Sequence, residues 1–385
     1  MISRVHVENF MSLKSVDLTI SRFTTLVGKN AVGKSAIFKS LVTLSRLHHG
    51  APLRGERDFQ LEPGVNFDDL VWSGNSSLPI RFSVWFDALA AQSEPDYFLE
   101  IKKNASGWSV TKERLRAGDG WLEVSEGKSF SFPTERRGEF VLQHPMRATM
   151  RFLVHPYLND AKARPHLEPI LNTSESLGTT WRYRPSANDI ALSIAPPGED
   201  SAKKTVTVAA NGWGVAIKLR ELLEERAERF SSIEAELKRS YPHLRSIGFK
   251  SDWQGVRLTY LTERSEDPIP APQEADGVLL STFLLWRLHT ASPSDLICLD
   301  EPETGIYPDQ RFDRFRYLEE FASRVDGASP RIMIATHAHQ VIEQGLSAAS
   351  AVFKEIRVLR FDKATGSTVT HLSSPTVHDL SNELR

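Results

Sequence analysis

Gly28-Lys29-Asn30-Ala31-Val32-Gly33-Lys34-Ser35 follows the apolar run Phe23–Val27 and precedes a segment that repeats Ile37, Leu41, Leu44 and Leu47 at helical spacing. The eight residues complete the pattern G-x-x-x-x-G-K-[ST], and the flanks supply the strand and helix that this pattern needs. Its glycines let the backbone curl so that successive N–H groups turn inward on a β-phosphate. Lys34 then reaches the β- and γ-phosphates, and the Ser35 hydroxyl ligates Mg²⁺. A helix expected from Ser35 to about Leu47, with Ala36 in its first turn, adds the positive end of its dipole. Gly28 to Ala36 is thus expected to hold ATP with Mg²⁺.

Two later runs share one plan. Leu296-Ile297-Cys298-Leu299-Asp300-Glu301 is four apolar residues ending in two carboxylates, as expected of a buried parallel strand whose C-terminal edge faces a ligand. Asp300 can hold Mg²⁺, directly or through water, and Glu301 can act as general base on the water attacking a γ-phosphate. Ile332-Met333-Ile334-Ala335-Thr336-His337 ends instead in an imidazole able to hydrogen-bond the γ-phosphate or orient that water. Either strand end is commonplace alone; behind a complete phosphate loop, the two read as the second half of an ATPase site with Lys34, Glu301 and His337 as its catalytic groups.

Around these runs the chain alternates between sheet and helix patterns. Ile2 to Val7 and Ser15 to Ile20 read as strands ahead of the loop, and short alternating bursts from Ile80 to Phe132 read as antiparallel strands. Residues 144 to about 197 are proline-rich and mixed, expected as short helices in an inserted lobe. Gly214 to Arg239 reads as one amphipathic helix, with Leu219, Leu222, Leu223, Phe230, Ile233 and Leu237 apolar among many Glu and Arg. Asp276 to His289 is apolar nearly all round and is expected to be buried. A polar-faced helix is expected over about residues 309–325, and two strands, Ile356–Phe361 and Thr368–Leu372, close the sheet. The division that follows is an N-terminal P-loop lobe with an antiparallel β subdomain (1–143), an inserted mainly helical lobe (144–270), and a C-terminal lobe (271–385) that completes one α/β ATPase domain.

Composition narrows the partners. With 47 Lys plus Arg against 49 Asp plus Glu, the net charge of -2 gives no bulk attraction to nucleic acid or acidic lipid, so a DNA surface must be a local patch. The clusters available are Lys112, Arg114 and Arg116; Arg136 and Arg137; Arg182 and Arg184; and Lys203 with Lys204, each of which also reads as a solvated face. One cysteine, Cys298, forms no intramolecular disulfide, and no run of eighteen apolar residues or basic-then-apolar leader is present. The expectation is a cytoplasmic protein without a membrane partner.

The order GKNAVGKS, ADGVLLSTFLLWRL, LICLDEPETGIYP, IMIATHAHQ resembles the ATP-binding heads of the ABC/SMC-like superfamily, and within it the RecF-like and OLD-type (overcoming lysogenization defect) bacterial ATPases. The resemblance runs from residue 1 to about 345. It implies an ABC-type head with a mixed or parallel core sheet, an antiparallel β subdomain and an inserted helical lobe. It further implies Walker A at Gly28–Ser35, a signature near Ala275, Asp276 and Gly277, Walker B with its catalytic Glu at Asp300 and Glu301, a D-loop at Glu303–Pro308, and a switch His at His337. A Mg²⁺-sensing Gln at a strand end is also implied, for which Gln143 and Gln60 compete. Such heads dimerise on ATP, the signature helix of one subunit pointing at the γ-phosphate held by the other. This chain has Ala275 where the family usually has Ser, so a weaker or more partner-dependent dimer and slow hydrolysis are expected, and at the D-loop it has Tyr307 where the OLD-type pattern usually has His. OLD-type proteins carry a C-terminal nuclease, for which fewer than fifty residues after His337 leave no room. The resemblance therefore implies a homodimer or higher oligomer gating a separate effector, a nuclease or toxin, in antiphage defence. The alternative is a RecF-like ATPase acting on DNA in repair.

Overall fold

The computed structural model describes residues 1–49, 66–86, 94–105, 107–117, 120–125, 129–131, 137–139, 177, 180–191, 208–252, 255–303, 317–318, 321, 330–337 and 355–373. In chain order these give β1 (Ile2–Phe10), β2 (Leu13–Thr19), β3 (Phe23–Val27), α1 (Lys34–His49), α2 (Phe67–Leu70), β4 (Ile80–Phe86), β5 (Tyr97–Asn104), β6 (Gly107–Ala117), β7 (Gly120–Ser125), β8 (Ser129–Ser131) and β9 (Arg137–Glu139). After them come β10 (Thr180–Tyr183), α3 (Ala187–Ala191), α4 (Val215–Glu225), α5 (Ala227–Ser240), β11 (Leu244–Asp252), β12 (Gly255–Thr262), β13 (Ile269–Pro270), α6 (Asp276–Thr290), β14 (Leu296–Asp300), β15 (Arg331–Thr336), β16 (Glu355–Asp362) and β17 (Gly366–Ser373).

A six-stranded sheet of order β10-β14-β15-β3-β16-β17 forms the middle layer, parallel except for β17. Its central strands are apolar on both faces, as burial on both sides requires. In β14, Leu296 and Cys298 join one core, with Leu26, Met333, Ala335 and the α1 residues Ile37, Phe38, Leu41 and Leu44. Ile297 and Leu299 join the opposite core, with Ile332, Ile334, Val358 and the α6 residues Val278, Leu279 and Phe283.

An eight-stranded antiparallel sheet, β2-β1-β4-β5-β6-β7-β8-β9, covers the α1 side. Its strands alternate: Leu13, Val16 and Leu18 of β2 are buried and their neighbours exposed, the signature of a sheet with one wet face. Helices α3 to α6 and the sheet β11-β12-β13 form the other outer layer. This is the mixed α/β architecture expected, with the antiparallel subdomain beside a P-loop core. Helix α6 runs through the second core with every residue from Val278 to Leu288 buried.

Two features differ from the sequence reading. The single helix expected over Gly214–Arg239 is two, broken at Arg226, where φ is -145° and ψ 62°. The turn lets Leu219 and Leu222 of α4 and Phe230, Ile233 and Leu237 of α5 face one core, whereas Leu223, which an unbroken helix was expected to add to the apolar face, is 38% exposed. Residues 144–270, expected as a mainly helical insertion, hold α3 to α5 together with the strands β10 to β13 among their described residues. Of the helix expected over 309–325, Tyr317, Leu318 and Phe321 are described, all helical, and the rest lies outside the described residues, as does Tyr307.

Candidate functional site

β3 lies between β15 and β16, and the loop leaving its C-terminal end turns directly into α1. Lys29, Asn30 and Ala31 form its exposed crest, while Gly28, Val32, Gly33, Lys34 and Ala36 are buried and Ser35 is half-buried. Gly33 sits at φ 109°, and a Cβ there would lie 2.4 Å from Ser367 Oγ and 2.8 Å from Ser12 Oγ, so only glycine lets the loop press against β17. At the crest Ala31 takes φ 65° without being glycine.

Lys34 folds back inside the loop: its Nζ donates to the carbonyls of Gly28 at 2.6 Å and Lys29 at 2.8 Å. Burial lowers its pKa, an effect opposed by the nearby carboxylates of Glu301, Asp300 and Glu303. Ser35 Oγ donates to Asp300 Oδ2 at 2.9 Å, which joins the start of α1 to the end of β14 across 265 residues of sequence.

β15 is inserted between β3 and β14, so three parallel strands deliver their C-terminal ends side by side. Asp300 is buried at the end of β14. Glu301 follows at φ 53°, a left-handed conformation for a non-glycine residue, with its N–H donated to Ala335 O at 2.9 Å. This turn re-aims the Glu301 carboxylate, whose Oε1 is 3.0 Å from His337 Nδ1. Glu303 is buried two residues on; Thr336 Oγ1 donates to its Oε1 at 2.5 Å, while Oε2 is buried without a hydrogen-bond partner. Burial raises the pKa of this carboxyl.

Lys34, Ser35, Asp300, Glu301 and His337 are thus brought together, as their order in the sequence suggested. Ala275, Asp276 and Gly277 lie elsewhere, at the N-terminus of α6: the Gly277 carbonyl accepts Tyr241 Oη, and the Ala275 N–H is held by the Glu274 carboxylate. Ala275 is the N-cap of that helix and supplies no side-chain cap. Gln143 and Gln60 both lie outside the described residues.

Sequence reasoning missed two members of the cluster, Arg182 and Arg184, which it read as surface cations. β10 pairs parallel with β14 at the sheet edge, placing Arg182 opposite Cys298 and Tyr183 opposite Leu299. Tyr183 turns into the core, and Arg182 and Arg184 lie on the other face by strand alternation. Arg182 reaches Asp300 Oδ2 at 2.7 Å and Arg184 reaches Glu301 Oε2 at 3.0 Å. The alternation Trp181-Arg182-Tyr183-Arg184 was the available signal, masked by the prolines around it.

The residues fit Mg²⁺ and a nucleoside triphosphate. One hydroxyl and one carboxylate oxygen, Ser35 Oγ and Asp300 Oδ2, converge beside a loop of inward-curled backbone, the sparse oxygen donor set that suits a cation completing its shell with phosphate oxygens and water. Among the described residues no group of three or more His, Cys, Asp or Glu forms a protein-only metal cage, and none of the helices is long and apolar enough to cross a membrane.

This fold and cluster define a P-loop nucleotide-binding domain of the α/β class. The profile of the family described as "AAA domain, putative AbiEii toxin, Type IV TA system" matches residues 23–342, most of the chain, which belongs to that family. The chain is similar in structure to an SMC head bound to the C-terminal winged-helix domain of ScpA: 12% identity, TM-score 0.51, covering 97% of this chain and 98% of that one. It also aligns with SMC heads from Pyrococcus furiosus (12% identity, TM-score 0.45, 100% and 99% covered) and Thermotoga maritima (12%, 0.40, 97% and 99%). No curated protein sequence matches it significantly.

Proposed function

We propose that this chain binds and hydrolyses Mg-ATP, that ATP draws two heads together, and that the closed state controls a separate effector protein, a nuclease or toxin, in bacterial defence against phage. The carrying observation is the junction of Ser35 and Asp300, with Lys34 behind it and Glu301 and His337 beside it. Bound Mg²⁺ supplies Lewis-acid polarisation of the phosphates. The loop N–H groups and Lys34 hold the β- and γ-phosphates. Glu301, its carboxylate re-aimed by the left-handed turn, takes a proton from the attacking water as the new P–O bond forms and the bond to the bridging oxygen breaks. His337, in contact with Glu301, orients that water.

The finer placement among OLD-type proteins rests on the DEPETGIYP run and on the family, whose description names a putative toxin of a type IV TA system. An SMC head that is seen bound to a partner's domain adds a parallel for a head that works through another chain. The RecF-like alternative is less well supported. Its described basic clusters already face carboxylates: Lys112 and Arg114 contact Glu123, Arg116 contacts Glu94, and Arg182 and Arg184 belong to the nucleotide site.

Glu301→Gln tests the reading. The variant is expected to bind ATP, to turn it over at least about 100-fold more slowly, and to shift from monomer to dimer by light scattering only when Mg-ATP is present. Turnover equal to wild type removes Glu301 from its role, and a mass indifferent to ATP removes the head-to-head switch.

A further inference from the structure

Glu301 is held on both sides: His337 Nδ1 lies against Oε1 and the Arg184 guanidinium against Oε2, each at 3.0 Å. Both carboxylate oxygens are thus occupied, and no oxygen of Glu301 is open to a water while the guanidinium stays in place. The proposed base is therefore blocked until Arg184 leaves.

Arg184 is built to leave. Its side chain is 67% exposed, whereas Arg182, on the buried Asp300, is 21% exposed. Its backbone is fixed, with its N–H donated to Ala210 O at 2.9 Å and Pro185 following. A swinging guanidinium on a pinned backbone, one side-chain length from the end of the Walker B strand, has one new negative partner when nucleotide arrives, the terminal phosphate beside Glu301. Arginine suits that exchange, since its planar fork pairs bidentately with carboxylate and phosphate alike.

We propose that Arg184 is a γ-phosphate sensor supplied in cis: parked on Glu301 without nucleotide, it transfers to the terminal phosphate of a bound nucleoside triphosphate and thereby uncovers Glu301 Oε2. Arg182 remains on Asp300 as the fixed counter-ion. The inference deepens the proposed function and rests on it. It predicts that the site discriminates triphosphate from diphosphate through a residue far in sequence from the P-loop.

The test is equilibrium binding of fluorescent ATP and ADP analogues, with Mg²⁺, to wild type, Arg184→Ala and Arg184→Lys. Losing one charge-assisted contact to phosphate is expected to weaken ATP about 10- to 100-fold in Arg184→Ala while ADP changes less than about 3-fold. Arg184→Lys is expected to recover part of the ATP preference as a point charge. ATP and ADP weakened equally, or an unchanged ratio, would overturn the sensor while leaving the nucleotide site standing. Wild type that binds neither nucleotide removes the site and the sensor together. Unchanged thermal midpoints of the variants without ligand verify that the fold is intact, and circular dichroism supplies the same check should either midpoint fall.

Discussion

Replacing Lys34 by Met separates what this side chain does for nucleotide from what it does for the fold. Lys34 is buried, and its ammonium satisfies itself on the Gly28 and Lys29 carbonyls. Two hydrogen bonds to a charged group contribute about 1.5–3 kcal/mol each, but the cost of desolvating the ammonium is several kcal/mol, and its lowered pKa marks that cost as the larger influence on the charge. Methionine keeps the apolar stem and discards the charge, so the ligand-free protein should change by no more than about 1 kcal/mol. At about 2.1 cal/mol/K per residue, the 385-residue chain loses about 1 °C of melting temperature per 0.8 kcal/mol. Free Lys34→Met should therefore melt within about 1 °C of wild type. Nucleotide at one hundred times its dissociation constant stabilises wild type by about 2.7 kcal/mol, or about 3 °C. The variant, without its cation for the β- and γ-phosphates, should show no such rise in differential scanning fluorimetry with Mg-ATP. A rise equal to wild type would refute the assignment of Lys34, and a fall of several degrees without ligand would show that the loop is held by this side chain.

Two other substitutions separate parts of the reasoning. Glu303→Gln removes a buried carboxyl whose pKa is raised above its ordinary 4.5 by burial. Such a group stabilises the fold when protonated, and that contribution is lost as pH rises from about 4.5 through the raised value, so the variant should melt higher than wild type at pH 7.5, with the difference closing toward pH 4.5; a gap that does not depend on pH would contradict this. Ala275→Ser restores a capping hydroxyl to α6 and should add about 1 kcal/mol, about 1 °C. If that hydroxyl also reaches the partner's γ-phosphate, dimerisation of the Glu301→Gln background should need less ATP, and a higher melting point with unchanged dimerisation would confine its effect to the cap.

Local chemistry made much of this legible. The P-loop, β14 and β15 announce themselves because each is a short apolar run with its polar ending fixed by the need to present charge at a sheet edge, and α6 because it is apolar on every face. The antiparallel strands were readable from the alternation that a half-wet sheet imposes. What stayed hidden depends on long-range pairing. β10 is four residues long, and nothing local says that Thr180–Tyr183 adds to β14, more than a hundred residues away, rather than lying in a loop. The break at Arg226 was hidden for the opposite reason: the local pattern continues smoothly through it, and only the common core of α4 and α5 requires the turn. The positive φ of Glu301 has no sequence signature, since glutamate is not a residue that favours it.

The charges of the site explain why its missed strand matters. Three cations, Lys34, Arg182 and Arg184, lie among three carboxylates, Asp300, Glu301 and Glu303, and burial disfavours ionisation of both Lys34 and Glu303. Without ligand, Arg182 and Arg184 are matched to Asp300 and Glu301, while Lys34 rests on carbonyl oxygens. Arrival of a negatively charged nucleotide with its divalent cation cannot simply add to such a set. Ser35 and Asp300 would hold the cation, with Arg182 kept on Asp300 as its counter-ion, and the phosphates would draw on the donors that carbonyls and Glu301 now hold. Binding is thus an exchange of partners rather than the filling of a waiting field, and the free enthalpy of each broken pair is returned only if every phosphate charge finds its cation. A diphosphate leaves the outermost exchange undone. On this reasoning the discrimination between triphosphate and diphosphate is set inside one chain, at its edge strand.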